Sequence, residues 1–311
     1  MSATVADNNN NNNDNICANC GKGEEGSASL KACTACKMVK YCNRECQIAH
    51  RPQHKKACKK RAAELHDEKL FKQPPLQYGD CPICFLRLPT LRTASTYKPC
   101  CGKLICSGCA YAPVYDNQGN EVTEKTCPFC RAPISKSDEE ENERIKRRAE
   151  AGNAEAIFTL GHFYADGEYG FPQDYDKALE LWHRAGDLGC AAANYNIGIV
   201  YDNGEGVNVD QKKAKHYYEL AAMGGHVDAR HNLGIDEENA DNIDRALKHL
   251  MIAVRGGGND SLKTIREMVT IGHATKDDFK KALESYQAYL DEIRSDQRDK
   301  AEAEVDEYKY Y

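Results

Sequence analysis

The second half of the chain repeats a pattern of small and apolar positions about every 36 residues. Three series mark the repeat: Gly161, Gly198 and Gly234; Ala178, Ala214, Ala246 and Ala282; and Gly189, Gly225 and Gly257. Each unit is typical of a helix, a turn and a second helix, because apolar residues recur at helical spacing on both sides of the turn. Small residues at fixed positions allow neighbouring helices to approach closely. The pattern therefore predicts an α-solenoid of stacked helical hairpins.

Capping residues indicate where several of these helices begin and end. Asp174 and Asp210 are placed to cap the N-termini of second helices, and Gly189 and Gly225 are placed to end them. Ser137 is the expected N-cap of a charged helix that carries acidic residues in its first turn. These signals support the helical interpretation independently of the repeat.

Cysteines follow a different distribution, since fifteen of the sixteen lie between Cys17 and Cys130. The N-terminus lacks the basic and then apolar pattern of a secretory signal, and no apolar run approaches the roughly 20 residues of a membrane span. We therefore expect a reducing cytoplasmic or nuclear location, where paired cysteines serve as metal ligands. The remaining cysteine, Cys190, is interpreted as a small buried thiol in the helical region.

The net charge argues against broad nucleic-acid binding. The formal charge is −6, and fifteen thiolates with four Zn²⁺ ions would bring it to about −13. Such an acidic protein is not expected to bind polyanions. The sequence also lacks a Ser/His/Asp set, a P-loop and a His-Glu-x-x-His motif, so hydrolase, kinase and metalloprotease functions have no support.

The first cysteine cluster contains four ligand pairs with metal-binding spacing. They are Cys17-x2-Cys20, Cys33-x2-Cys36, Cys42-x3-Cys46 and His54-x3-Cys58. A two-residue gap forms a tight knuckle that directs both sulfurs at one metal, and a three-residue gap places two ligands on one face of a helix. The four pairs can complete two tetrahedral sites. His50 is a rival to His54, but its spacing to Cys58 does not match one helical turn.

This order of ligands, with YCNRECQ and HKKAC, resembles the MYND zinc finger. The resemblance implies two interleaved zinc sites, the first made of Cys17, Cys20, Cys42 and Cys46 and the second of Cys33, Cys36, His54 and Cys58. It also implies a protein-interaction module that takes proline-containing peptides, although Arg51 stands where the family usually has tryptophan. The alternative is a finger that only supports its neighbours.

Ten basic residues and one glutamate lie between Lys31 and Arg61. Such a patch can bind nucleic acid or serve as a nuclear-import signal. We favour a simpler role, in which the cations offset the negative charge of the zinc-bound thiolates.

The second cluster, CPIC, PCCGKLICSGC and CPFCR, resembles a RING finger. RING fingers usually place a histidine where Lys103 stands. Cys100, which is adjacent to Cys101, can replace this histidine as a ligand. The cross-brace order of the family implies one zinc site made of Cys81, Cys84, Cys106 and Cys109 and another made of Cys100, Cys101, Cys127 and Cys130. Adjacent cysteines on one metal require an unusual backbone geometry.

RING fingers that act as ubiquitin ligases hold a ubiquitin-conjugating enzyme and its thioester-linked ubiquitin in a reactive orientation. By resemblance, Ile83 and Pro128 would contact the conjugating enzyme, and Arg131 would hydrogen-bond both partners at the thioester. No tryptophan precedes Cys127 where many active RING fingers use one, and Tyr111 is the available substitute. Two functions follow: a ubiquitin ligase whose other modules choose substrates, or a non-enzymatic zinc-binding adaptor for protein complexes.

The helical repeats resemble the Sel-one-like repeat, a relative of the tetratricopeptide repeat, over roughly 130 residues. The best match is AAANYNIGIVYDNGEGVNVDQKKAKHYYELAAMGG. The third unit is shorter and lacks the Gly-x-Gly turn, and the fourth leads into a long charged helix that is expected to cap the stack. This resemblance implies a protein partner on the solenoid. The order of the three modules is similar to that of a multi-domain group in diatoms and related algae.

The predicted fold class is therefore small zinc-stabilised α+β modules followed by an all-α solenoid of helix-turn-helix repeats, with four zinc ions. A helix over KKRAAELHDEKLFKQ should end before Pro74 and Pro75. The predicted boundaries are 1–15 (disordered), 16–60 (MYND-type finger), 61–78 (helical linker), 79–134 (RING-like finger), 135–150 (charged linker), 151–290 (repeats) and 291–311 (charged C-terminal helix or tail).

Overall fold

The computed structural model describes residues 16–23, 29–112, 118 and 126–304. The chain forms two compact units, residues 1–70 and 71–311. The asparagine-rich segment predicted to be disordered, 1–15, lies outside the described residues. No helix among the described residues is long and apolar enough to cross a membrane.

The first unit consists of a short hairpin and one long helix. Strand β1, Lys31–Ala32, pairs antiparallel with strand β2, Lys40–Tyr41, and helix α1 runs over Arg44–Leu70. This helix begins inside the predicted finger and ends at Leu70, within the predicted linker. Apart from Leu30 and Tyr41, the buried apolar residues of this unit's zinc-binding core are cysteines. Such a small core depends on metal ligation for its stability.

The second unit opens with a cysteine-rich module built on a hairpin. Strand β3, Ser95–Lys98, pairs antiparallel with strand β4, Lys103–Cys106, and helix α2, Ser107–Tyr111, follows directly. The register pairs Lys98 with Lys103, which leaves four residues at the tip of the hairpin. Two of the predicted zinc ligands lie at that tip.

The rest of the second unit is helical. The helices are α3 Asp138–Glu150, α4 Ala154–Asp166, α5 Tyr175–Asp187, α6 Ala191–Asn203, α7 Gln211–Met223, α8 Val227–Asn239, α9 Ile243–Arg255, α10 Asn259–Ile271, α11 Lys276–Ile293 and α12 Asp296–Glu304. Consecutive helices from α3 to α11 pack against each other, as expected for a solenoid. The third helical repeat has a shorter connection between its helices than the first two repeats, as its sequence indicates. Only residues 240–242 separate α8 from α9.

The repeated glycines bring paired helices together. A Cβ atom at Gly161 would lie 2.5 Å from Trp182, and one at Gly198 would lie 2.5 Å from Tyr218. In each pair the glycine is on the first helix and the aromatic ring is on the second. The predicted close approach is therefore made by an aromatic ring packed against a glycine.

The predicted caps are present. The side chain of Asp174 accepts a hydrogen bond from the backbone N–H of Lys177, and Asp210 does the same for Lys213. Ser137 caps α3 in the same way. These bonds satisfy N–H groups that have no partner within the helix.

The C-terminal region differs from the expected cap. Helix α11 packs on α9 and α10, as a capping helix should, but α12 packs against α2 of the cysteine-rich module. The sequence did not indicate this return of the chain.

Candidate metal centres

Four groups of side chains can each hold a metal ion, and in every group the ligand atoms lie within 4.8 Å of one another. The groups are Cys17, Cys20, Cys42 and Cys46; Cys33, Cys36, His54 and Cys58; Cys81, Cys84, Cys106 and Cys109; and Cys100, Cys101, Cys127 and Cys130. These are the sets that the two resemblances implied. Four thiolates, or three with one imidazole, form the donor set of structural zinc sites.

Four knuckles of similar backbone geometry supply half of these ligands. The residue after the second cysteine of each C-x2-C pair has a left-handed φ, at Gly21, Lys37, Phe85 and Arg131. Its backbone N–H donates to the carbonyl of the first cysteine at 2.8–3.0 Å. This turn directs both sulfurs to the same side. Residues other than glycine adopt it at a cost of roughly 1 kcal/mol, which metal binding can offset.

The first sulfur of each knuckle is favoured as a thiolate. Burial acts against ionisation of Cys17, Cys33 and Cys127, but backbone N–H groups of the same knuckle bond to each sulfur and lower the pKa values to about 6, 6 and 7. At Cys81 the side chain of Cys106 has the largest effect, and the pKa falls to about 4. Ligands that are already ionised bind a metal without releasing a proton.

Helix α1 supplies three of the four remaining ligands of the first unit, namely Cys46, His54 and Cys58. Cys42 lies two residues before the helix, so Cys42 and Cys46 do not share one helix face as their spacing predicted. The sulfurs of Cys42 and Cys46 lie 3.4 Å apart, and His54 Nε2 lies 3.2 Å from the sulfur of Cys36. The rival histidine, His50, instead bonds through Nδ1 to the hydroxyl of Tyr41 and stacks on His54. His54 therefore lies in the candidate ligand group, and His50 lies next to it outside that group.

The tip of the hairpin explains how adjacent cysteines can share one metal. Gly102 has a φ of 70° and donates its N–H to the carbonyl of Lys98, so the chain turns sharply at Cys100 and Cys101. Cys100 Sγ lies 3.5 Å from Cys130 Sγ, and Cys101 Sγ lies 3.9 Å from Cys127 Sγ. The side chains of Cys100 and Cys101 thus reach the two cysteines of one knuckle, Cys127 and Cys130, from a single turn of the hairpin.

Two arginines from outside the cysteine-rich module hold it against the helices of its own unit. Arg148 of α3 donates to the carbonyls of Pro99 and Cys100, the latter at 2.5 Å. Arg298 of α12 donates to the carbonyl of Arg87 at 2.9 Å and approaches the sulfur of Cys84 at 3.9 Å. Each of the module's two metal sites is therefore braced by one arginine.

The residues expected to contact a conjugating enzyme lie on the two knuckles of this module. Ile83 is half-buried against the metal-binding core, Pro128 is half-buried, and Arg131 is exposed. Two aromatic side chains, which the sequence did not single out, lie beside them: Phe85 is 79% exposed and Phe129 is 41% exposed. No sequence pattern marks them, because the left-handed backbone of Phe85 and the exposure of both side chains are visible only in three dimensions.

Tyr111, the proposed substitute for tryptophan, ends α2 and is exposed. Most of the segment between it and Cys127 lies outside the described residues. Cys190 is half-buried at the start of α6, at the edge of the core formed by the first repeats.

The second unit contains a cleft of about 360 Å³, which is lined by solenoid helices together with Gln77, Tyr78, Thr90 and Leu91. Its polar lining includes Asn196, which bonds to His162, and His231, which lies 3.0 Å from the hydroxyl of Ser261. Burial lowers the pKa of His231 below its ordinary value, which favours the neutral ring. The cleft therefore combines hydrogen-bonding groups with aromatic walls.

Comparison with known families identifies two of the modules. Residues 17–58 match the MYND finger, and residues 154–190 and 191–226 match the Sel1 repeat. The chain is therefore a zinc-binding protein with protein-interaction modules, a finger followed by a helical solenoid.

Similar proteins share parts of the chain. Chitin synthase regulatory factor 3 of Schizosaccharomyces pombe is 30% identical over 122 residues, which cover 38% of this chain and 13% of that protein. The ERAD-associated E3 ubiquitin-protein ligase component HRD3B of Arabidopsis thaliana is 30% identical over 117 residues, covering 37% and 18%. The chain thus matches less than a fifth of the length of either relative.

Among solved structures, a Sel1 repeat protein from Oxalobacter formigenes shares 25% identity and a TM-score of 0.45, covering 55% of this chain and 67% of that one.

Proposed function

We propose that the protein is a ubiquitin ligase of the non-covalent type. Its cysteine-rich module would recruit a ubiquitin-conjugating enzyme, and the MYND finger and the solenoid would bind substrates. The observation that carries this proposal is the pair of equivalent knuckles in that module. Each ends in a left-handed residue and presents side chains suited to a protein partner: Ile83 and Phe85 on one, and Pro128, Phe129 and Arg131 on the other.

Exposed aromatic and cationic side chains on a rigid frame support this function. Aromatic residues and arginine are enriched where protein interfaces carry most of their binding energy. A ligase of this type works by orientation, so its contact residues must be held rigidly. The braces from Arg148 and Arg298 would supply that rigidity.

The decisive experiment is discharge of ubiquitin from a panel of charged conjugating enzymes to free lysine. We expect the zinc-loaded chain to accelerate discharge from at least one enzyme. Ile83→Ala should abolish the acceleration by weakening docking. Arg131→Ala should reduce the rate while conjugating-enzyme binding persists. Lys136→Ala, a nearby change of charge outside the knuckles, is the matched control. If discharge is absent, or if neither knuckle variant alters it, the ligase proposal is wrong.

A non-enzymatic adaptor is the second candidate function. The observation that favours it is the packing of α12 on α2, which makes the cysteine-rich module a structural continuation of the helices. Under this alternative no charged conjugating enzyme would be discharged, and Ile83→Ala and Arg131→Ala would leave partner binding by the MYND finger and the solenoid unchanged.

A further inference from the structure

The outer face of α1 forms one wall of a groove in the first unit. The groove has a volume of about 470 Å³ and lies beside the metal site that contains His54. Residues Arg44, Ile48, Arg51, Lys55 and Lys59 of α1 line it. They are spaced by three or four positions, so they form a single stripe along one helix face.

The stripe is strongly basic. It carries four cations and no acidic side chain lines the groove among the described residues. The adjacent site of three thiolates, one imidazole and one Zn²⁺ would carry a single negative charge. One of the four cations is enough to neutralise the metal site, so the groove has a net charge of about three positive charges.

These cations are also unpaired. Arg44, Arg51, Lys55 and Lys59 are exposed, and none makes an ion pair with another described residue. Further along the same helix the pattern changes, because Lys60 and Arg61 pair with glutamates at 2.8–4.0 Å. All four cations that line the groove therefore lack an ion pair among the described residues.

An apolar side chain interrupts the charges. Ile48 is 60% exposed between Arg44 and Arg51. A partner that covers it gains roughly 25 cal/mol per Å² of apolar surface removed from water. A phosphate backbone offers little to such a contact, whereas a peptide can supply an apolar side chain between two acidic ones.

We propose that this groove binds an acidic peptide in which glutamate or aspartate alternates with an apolar residue. From Arg44 to Lys59 the helix rises about 22 Å, which an extended peptide of about seven residues would span. The inference rests on the recognition role proposed above for the MYND finger, and it replaces the proline-containing peptide expected from the sequence with an acidic one. Arg51, at the centre of the stripe, is the residue that most directly favours an acidic peptide over a neutral one.

The test uses fluorescence anisotropy with the full zinc-loaded chain. The probe is a fluorescein-labelled peptide of about seven residues in which glutamate alternates with leucine. Three comparison probes are the same peptide with glutamine for glutamate, a neutral proline-rich peptide, and a single-stranded oligonucleotide of matched charge.

Two double variants of equal charge separate the groove from the rest of the helix. The groove variant is Arg51→Gln with Lys55→Gln, and the control is Lys56→Gln with Lys60→Gln, which do not line the groove. We expect saturable binding of the acidic probe, about tenfold weaker in the groove variant and changed less than about twofold in the control. The glutamine probe should bind at least about tenfold more weakly than the acidic one.

Equal effects of the two double variants would overturn the inference, as would equal binding of the glutamate and glutamine probes. Tighter binding of the proline-rich probe would also overturn it, while leaving the recognition role of the finger intact. Tighter binding of the oligonucleotide, weakened in the groove variant, would assign the groove to nucleic acid. The assay contains no ubiquitin, so its outcome is independent of the discharge experiment.

Discussion

The guanidinium of Arg298 lies 3.9 Å from the sulfur of Cys84, although 214 residues separate the two in sequence. Arg298 is 1% exposed, and it also donates to the carbonyls of Arg87 and Ile293. Burial lowers its pKa, but the thiolates of Cys106 and Cys84 more than compensate and raise the pKa above its ordinary value. A four-thiolate zinc site carries two negative charges, and this buried cation partly offsets them.

We therefore predict that Arg298→Met weakens zinc retention at one of the four sites. Loss of the buried positive charge of Arg298 increases the repulsion between the neighbouring thiolates. Hydrogen bonds to the ligands of a metal commonly change the affinity for that metal by 10- to 100-fold. Zinc release to a chromogenic chelator measures the effect, with about one ion per chain leaving faster.

Lys300→Met is the control for this prediction, because Lys300 is exposed on the same helix. The charge change is identical, so the release kinetics should match those of the unmodified chain. If both variants, or neither, accelerate release, then Arg298 has no specific role at the metal site.

The solenoid offers a test in which packing opposes helix propensity. Alanine is more favourable than glycine within a helix by about 1 kcal/mol. Gly198→Ala should nevertheless destabilise the chain by about 1–3 kcal/mol, because the new methyl would meet the ring of Tyr218. Urea unfolding followed by the fluorescence of Trp182, the single tryptophan of the chain, measures the change. A more stable variant would show that the helices are not packed as closely as described.

The local chemistry of the chain was readable from its sequence because it depends on short spacings. The ligand pairs and the caps at Asp174 and Asp210 follow from residues within a few positions of each other, and the repeated glycines follow from a regular spacing of about 36 residues. The finger and repeats could be assigned to families for the same reason. Ligand order in the two resemblances then implied which knuckles share a metal.

Long-range packing could not be read in the same way. The contact of Arg298 with Cys84 and the packing of α12 on α2 depend on the path of the solenoid, which no local pattern encodes. The exposure of Phe85 was missed because phenylalanine normally indicates a core. The basic stripe was interpreted as compensation for thiolate charge, since the sequence cannot show which cations are paired.

The solenoid should lose stability as the pH falls below neutrality. Burial, followed by the charge of Arg230, lowers the pKa of His249 from 6.5 to about 3. The unfolded chain therefore binds a proton below pH 6.5 that the folded chain does not. Stability is complete above that pH and decreases by up to about 1.4 kcal/mol per pH unit on the acid side.

Urea unfolding by Trp182 fluorescence between pH ~7.5 and ~5.5 tests this linkage. His249→Gln should flatten the pH dependence, because the buried titrating group is removed. His216→Gln, at an exposed position, should leave the slope unchanged. If the unfolding free energy of His249→Gln varies with pH as steeply as that of the unmodified chain, then His249 is not the group responsible.

We infer that four thiolate-rich centres, including one with adjacent cysteines, hold four zinc ions. Native mass spectrometry of the chain purified in zinc tests it most directly. We expect four zinc ions per chain, and three in Cys100→Ser, because only the site at the hairpin tip loses a ligand. A count of two in the unmodified chain, or four unchanged in Cys100→Ser, would contradict it.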